Sequence, residues 1–406
     1  MKKILALLLA FVMVFGLVAC GGGNTEETQA TEATNATEAT QATEATEATE
    51  ATEATEAQPA GVAIKVAMVT DYGDITDQSF NQTTYEAMKA YAEENGVEYN
   101  YYKPAGDSDA ERIAMIDAAV VDGYNVILLP GFAFASALAQ TCELYPDVTF
   151  VALDVAEFDI QSAGLTEIPA NVFSAVYQEE LSGYMAGYAT VKLGYRKLGY
   201  LGGMAVPAVL RFGYGWLQGV EAAAQELGCV DEISMEWGYG NQFYGDADIT
   251  AVMDTWYGEK GVECVFACGG GIWTSAAEAA QKVGGKVVGV DVDQAGVIDG
   301  TFGEGMTVTS AMKGLAPTVK TLLTEIAAGN FANYGGQVMT LGLVSEVPSE
   351  NYVQLGESTQ YEEGKFTQAD YEAMVAAMFN GEIVVNGAID AMPEVSYVVN
   401  DNGNLK

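Results

Sequence analysis

Along most of the chain, short runs of continuous apolar residues alternate with longer segments whose apolar positions recur every three or four residues. IKVAMVT (64–70) reads as a buried strand, and a helix is predicted over 79–95, with Ala87, Met88 and Tyr91 on one face. Ser79 and Gln82 have capping-box spacing, and Asn95-Gly96 supplies a stop. VEYNYYK (97–103) is the next strand, and Ser108 with Glu111 opens a helix lined by Ile113, Ile116 and Val120. NVILLP (125–130) and VTFVALD (148–154) follow as strands. Their unbroken apolar character suits a parallel sheet covered on both faces.

The alternation restarts after Asn171. LGYLGGM, ISMEWGY, CVFAC, KVVGVDV and MTVTSAM read as strands, with helices predicted over about 209–227, 247–257, 273–283 and 315–328. Two successive βα series predict an α/β fold of two doubly wound parallel-sheet lobes joined by a hinge. The first lobe is expected to take residues 61–172 and about 296–335, the second 173–295 and about 336–406.

The start of the chain has a different pattern. Lys2 and Lys3 precede an apolar run from Ile4 to Val18, and Leu17-Val18-Ala19 leads directly into Cys20. A basic region, a short apolar core and small residues at the cut mark residues 1–19 as a secretory signal peptide. The tripeptide before Cys20 resembles a bacterial lipobox, so Cys20 is the expected site of lipidation. Residues 21–60 are GGGN followed by Thr-Glu-Ala repeats, with nine Glu and no Lys or Arg. Such a segment buries too little apolar surface to offset its ordering entropy, and its like charges extend it beyond the roughly 35 Å of a neutral flexible coil. The expected product is a domain held by a spacer to the outer face of a cell membrane.

Charge and missing residue types narrow the chemistry. The chain has 56 acidic and 17 basic residues, a net charge of −39. About 32 of those negative charges remain once the leader's two lysines and the nine spacer glutamates are set aside. Nucleic acid is not an expected partner of such a surface, and an anionic ligand is disfavoured. With no histidine, Ser-His and Cys-His nucleophile systems and His-ligated metals are excluded. Cys264 and Cys268 lie in an apolar strand and read as small buried hydrophobes, so neither a metal nor a cofactor is expected.

In open parallel sheets, ligands sit beyond the carboxyl ends of the strands. Those ends carry Asp71, then Phe80 and Asn81 at a helix start, Phe132, Asp154, Phe212, Gly269 and Gly270, Asp291 and Lys313. Carboxylates accept hydrogen bonds from adjacent hydroxyls, and aromatic faces such as Phe80 and Phe212 can hold a flat ring between them. Lys313 is expected to pair with Asp291. The mixture suits a neutral, polyhydroxylated ligand with a flat part.

VTDYGDITDQSFNQ, the VALD strand end, NVFSAVYQEELSGYMAGYA, GGM with Pro207, VGVDVDQ and TSAMK occur in this order from about Val66 to Lys313. Together they resemble the basic membrane protein family, the PnrA-like lipoproteins that serve ABC transporters as substrate-binding components and bind purine nucleosides. The resemblance implies a periplasmic-binding-protein type I fold, no enzymatic activity, no cofactor, and an ABC permease as partner. It implies that Phe80 stacks on the base, that Asn81 contacts the ligand or orders the loop, that Asp71 contacts the ligand, and that Asp154 makes a polar contact near the base. It implies that Asp291 and Lys313 hold ribose hydroxyls and that Phe212, Gly269 and Gly270 line the cleft. One departure is local: where the family usually has two glycines, Gly73 is followed here by Asp74. Stacking aromatics with carboxylates also suit a sugar-binding protein of the same fold, and the three Asp of DYGDITD leave open a secreted nucleoside hydrolase.

Overall fold

The computed structural model describes residues 61–406; the leader, Cys20 and the spacer lie outside the described residues. The elements run β1 (Lys65–Val69), α1 (Phe80–Asn95), β2 (Glu98–Tyr102), α2 (Asp109–Val121), β3 (Val126–Pro130), α3 (Ala135–Thr141), β4 (Thr149–Leu153), α4 (Glu157–Ser162) and β5 (Val172–Tyr177). They continue with α5 (Glu179–Lys192), β6 (Lys197–Gly202), α6 (Pro207–Leu227), β7 (Ser234–Tyr239), α7 (Ala247–Asp254), β8 (Cys264–Cys268), α8 (Trp273–Val283), β9 (Lys286–Asp291), α9 (Ala295–Phe302) and β10 (Thr307–Lys313). The last are α10 (Leu315–Ala327), β11 (Gln337–Leu341), β12 (Val353–Leu355), α11 (Gln368–Phe379) and β13 (Val398–Asn404).

Two sheets form, in the orders β11-β5-β4-β3-β1-β2 and β12-β10-β9-β8-β6-β7-β13. All pairings are parallel except β12 against β10. The central strands are buried, as β3 and β8 show along their whole lengths. Each sheet repeats one order, β2-β1-β3-β4-β5 in the first and β7-β6-β8-β9-β10 in the second. The chain reverses direction across the sheet between β1 and β3, and again between β6 and β8. At these switch points neighbouring loops diverge and leave a crevice. The fold is therefore two doubly wound α/β lobes, as expected.

The lobe boundaries differ from expectation. β10 pairs with β9 in the second sheet, so residues 307–313 do not return to the first lobe. The return is made by α10, which packs on α1 (Tyr91 Oη donates to Leu323 O, 3.1 Å), and by β11, which pairs with β5. The physical reason is edge pairing: β10 extends the second sheet by a standard parallel crossover, while β11 finds the open edge of β5. The chain thus crosses between lobes after β5, after β10 and after β11.

The predicted start of α1 also differs. Asp77, not Ser79, satisfies the free N–H groups there: its carboxylate accepts from the N–H of Ser79 (2.9 Å), Asn81 (3.0 Å) and Gln82 (3.0 Å). The Ser79 hydroxyl is left for another partner. In the second lobe, α5 and α6 pack backbone against backbone. A Cβ on Gly215 would lie 2.0 Å from the Glu180 carbonyl oxygen, and one on Gly219 2.0 Å from that of Tyr184. Gly183 and Gly187 face Phe212 and Trp216 in the same way. Only glycine permits this approach, which brings Glu179 at the start of α5 to Arg211 on α6.

Candidate functional site

A cavity of about 550 Å³ lies between the carboxyl ends of the two sheets. Asp71, Phe80, Asn81, Phe132 and Asp154 line it from the first lobe, and Phe212, Gly269, Gly270, Asp291 and Lys313 from the second. The structure thus brings all ten sequence-predicted residues to one space. Each is delivered by the end of a strand or the first two turns of the following helix, which explains why residues 242 positions apart meet.

One end of the cavity is charged. Lys313 ends β10, and its ammonium lies 2.5 Å from Asp154, 3.5 Å from Glu179 and 3.7 Å from Asp291. The expected Asp291 partner is therefore the most distant of three. Glu179, fully buried, also binds Arg211 at 2.5 Å. Burial works to discharge Lys313, but the three carboxylates outweigh it and hold the ammonium above its usual range. Burial, opposed by Lys313, raises Asp154 to about 6. Burial raises Asp71 to about 6 as well, against hydrogen bonds from Asn81 and Gly73. Asp154 and Asp291 adopt φ of 62° and 66°, in the left-handed region that aspartate tolerates better than most residues. That backbone strain turns both carboxylates off the sheet ends into the cavity.

Aromatic rings border this cluster. The Lys313 ammonium lies over Phe80 (4.6 Å), Tyr177 (5.6 Å) and Phe212 (5.7 Å). Phe212 is only 1% exposed and meets Phe266 edge-on. Phe80 and Phe212 thus share one cation, the Lys313 ammonium, as a cation–π partner. A second aromatic group lies elsewhere on the wall: Tyr72 stacks on Phe132 (6.2 Å) and packs against Phe243 of the opposite lobe (5.8 Å). Arg112 lies over Tyr72 at 5.2 Å and is held by Asp107 and Asp109.

Direct bonds join the lobes here. The Ser79 hydroxyl donates to Asp291 Oδ2 at 2.6 Å, and Gln294 Nε2 donates to the Gln78 carbonyl at 3.0 Å. Asp74, the departure noted in the first loop, accepts from Thr76 (3.0 Å) and pairs with Lys103 at the cavity wall. Lys103 holds its carboxyl below the usual range. Two buried acceptors on the lining residues, Asn81 Oδ1 and Asp154 Oδ1, have no hydrogen-bond partner. Cys268 also lines the cavity; it, Cys142, Cys229 and Cys264 are buried free thiols.

Glu179, Arg211, Tyr177 and Phe243 were not singled out from sequence. Phe243 follows the end of β7, so the strand-end rule could have found it. Glu179 gives no local signal, because its role depends on the approach of α6.

Comparisons with known proteins agree with this architecture. The family model described as "ABC transporter substrate-binding protein PnrA-like" matches residues 64–386. The ABC transporter nucleoside-binding protein BmpA of Lactococcus lactis is 26% identical over 297 residues, 69% of this chain and 79% of that protein. Basic membrane protein B of Borreliella afzelii is 25% identical over 286 residues, covering 69% of this chain and 78% of its own. Among solved structures, an ABC transporter solute-binding protein from Aeropyrum pernix superposes with a TM-score of 0.60 at 23% identity, over 79% of this chain and 87% of that one. One from Conexibacter woesei gives 0.61 at 21%, over 80% and 99%.

Proposed function

Taking as premise that the chain belongs to the PnrA-like family of ABC transporter substrate-binding proteins, we propose that it captures a purine nucleoside between its lobes and delivers it to an ABC permease. In this reading Cys20 carries the lipid anchor, residues 21–60 form the spacer, and the protein works on the extracytoplasmic face as a carrier without enzymatic activity. The observation that carries the reading is the two-ended cavity: aromatic rings at Tyr72, Phe132 and Phe243 at one end, and at the other hydroxyl-binding charge at Lys313, Asp154 and Asp291 with the Phe80 ring beside it. The aromatic end offers stacking to a base. The charged end offers donors and acceptors to the ribose hydroxyls.

Both lobes contribute to each end, so a bound ligand favours the closed arrangement in proportion to its contacts with both. Ser79 and Gln294 add protein bonds to the same closed state. Titration calorimetry with inosine, guanosine, adenosine, their free bases and ribose tests the reading. Selective nucleoside binding at micromolar affinity or tighter is expected, with an Asp291→Ala variant more than tenfold weaker. Silence across the nucleosides, or displacement by ribose alone, refutes it; the latter result supports a sugar carrier instead.

A further inference from the structure

A carboxamide has one end that only accepts and one that only donates, so its orientation decides what it can read. In Asn81 both protons of Nδ2 are committed. They go to Asp71 Oδ1 at 3.0 Å and Asp77 Oδ2 at 3.1 Å. The same Asp77 oxygen accepts from the Asn81 backbone N–H at 3.0 Å. Turning the amide over would set its oxygen against two carboxylate oxygens, a contact with no proton to share. The amide therefore presents Oδ1 as its free end, and that atom is buried with no partner. Asn81 lines the cavity beside Phe80, and its partner Asp71 adjoins Tyr72 of the aromatic group.

The geometry points to Asp77 as a positioning residue that, with Asp71, locks Asn81 as an acceptor and makes the site select a flat ligand bearing an N–H donor on its edge. This inference rests on the nucleoside reading and names the feature of the base that is read. Asp77 borders the same cavity, but both of its oxygens are committed within the protein, Oδ2 to Asn81 and Oδ1 to the α1 cap through Ser79 and Gln82, so its influence runs through Asn81. A base that puts an N–H against Oδ1 satisfies the buried acceptor. A base that puts a C–H or a ring-nitrogen lone pair there leaves the acceptor unpaired, which is worth roughly 5- to 150-fold in affinity.

Purine riboside supplies the control, since it keeps the ribose and the stacking face of inosine, guanosine and adenosine but has no N–H on its six-membered ring or at its sixth position. Calorimetry on the wild-type chain should show the tightest of those three binding at least tenfold more strongly than purine riboside. The Asp77→Asn variant retains an oxygen for the cap but puts an amide donor against Asn81 Nδ2, so the same ratio should fall severalfold. Melting temperatures of the two proteins separate this from a general loss of fold, because a purely structural defect weakens every ligand alike and leaves the ratio intact. Purine riboside binding within threefold of the best nucleoside overturns the inference and leaves the nucleoside reading standing. A ratio unchanged in Asp77→Asn overturns the role of Asp77. Absence of binding by all four compounds removes both the inference and the reading beneath it.

Discussion

Replacing Lys313 with methionine removes one charge from the middle of three buried carboxylates and leaves a side chain of similar length. Asp154, Glu179 and Asp291 lie 2.5, 3.5 and 3.7 Å from the ammonium. Arg211, bound to Glu179, is then the sole remaining cation of this cluster. Removing one partner from a buried ion pair costs about 3–5 kcal/mol when the other must stay charged. A folded region of roughly 350 residues unfolds with an entropy of about 0.7 kcal/mol/K, so the loss corresponds to a melting temperature lower by about 4–7 °C.

The pH dependence of that loss distinguishes this cause from poorer packing. Asp154 is raised to about 6 even with Lys313 present, and its pKa rises further without it. A carboxyl whose folded pKa is raised stabilises the fold below its unfolded pKa, and this contribution is lost as pH rises through the folded value. In the wild-type protein that loss is complete a little above pH 6; in Lys313→Met it continues to higher pH. The melting difference between the two proteins should therefore be small near pH 5 and reach its full size by pH 8, measured by scanning calorimetry or circular dichroism. A difference that is equal at both pH values, or below about 1 kcal/mol at pH 8, would refute the assignment of this cluster as an electrostatically balanced unit.

Other substitutions report on separate parts of the structure. Gly215→Ala places a Cβ where the Glu180 carbonyl oxygen lies 2.0 Å away. It should force α5 and α6 apart at about 1–3 kcal/mol, read as a lower denaturant midpoint with an unchanged slope, and a neutral result would contradict the backbone contact. Ser79→Ala removes the 2.6 Å bond to Asp291 that joins the lobes. With about 1.5–3 kcal/mol lost from the closed state, ligand release in stopped-flow should quicken by roughly 10- to 150-fold at a similar association rate; an unchanged release rate would show that this bond does not hold the closed state. In the native protein the thiols of Cys142, Cys229, Cys264 and Cys268 are buried, so a thiol reagent should label them only after denaturation. Fast labelling without denaturant would show that the helix ends at Cys142 and Cys229 or the strand β8, which holds Cys264 and Cys268, open.

Much of the fold is legible in the chain because its elements are long, strongly periodic and punctuated. Buried strands such as NVILLP and CVFAC announce themselves as unbroken apolar runs, and a strand-then-helix rhythm repeated twice leaves few topologies besides two doubly wound lobes. The site residues follow for the same reason, since a strand end is a position along the chain and needs no knowledge of neighbours. Asp71, Asp154, Asp291 and Lys313 were located in this way, as was the helix start that carries Phe80 and Asn81. Assignment of the late segments failed where local pattern is silent: β10 reads as a strand but does not say which sheet it joins, the residues after Ala328 carry no clear periodicity, and only edge pairing sends β10 to the second sheet and β11 to the first.

What the chain determines alone is the set of groups that reach the space between the lobes: aromatic rings, carboxylates and a lysine, each at the end of an element whose type its own periodicity dictates. Which of those groups meet was decided in three dimensions. Lys313 sits closest to Asp154 rather than Asp291, the Ser79 hydroxyl leaves its helix cap for the opposite lobe, and Glu179 enters the cluster because four glycines let α5 and α6 touch. Hydrogen bonds and ion pairs act over about 3–4 Å, whereas sequence periodicity specifies only the face or the end of an element, so partners drawn from different elements are settled by packing.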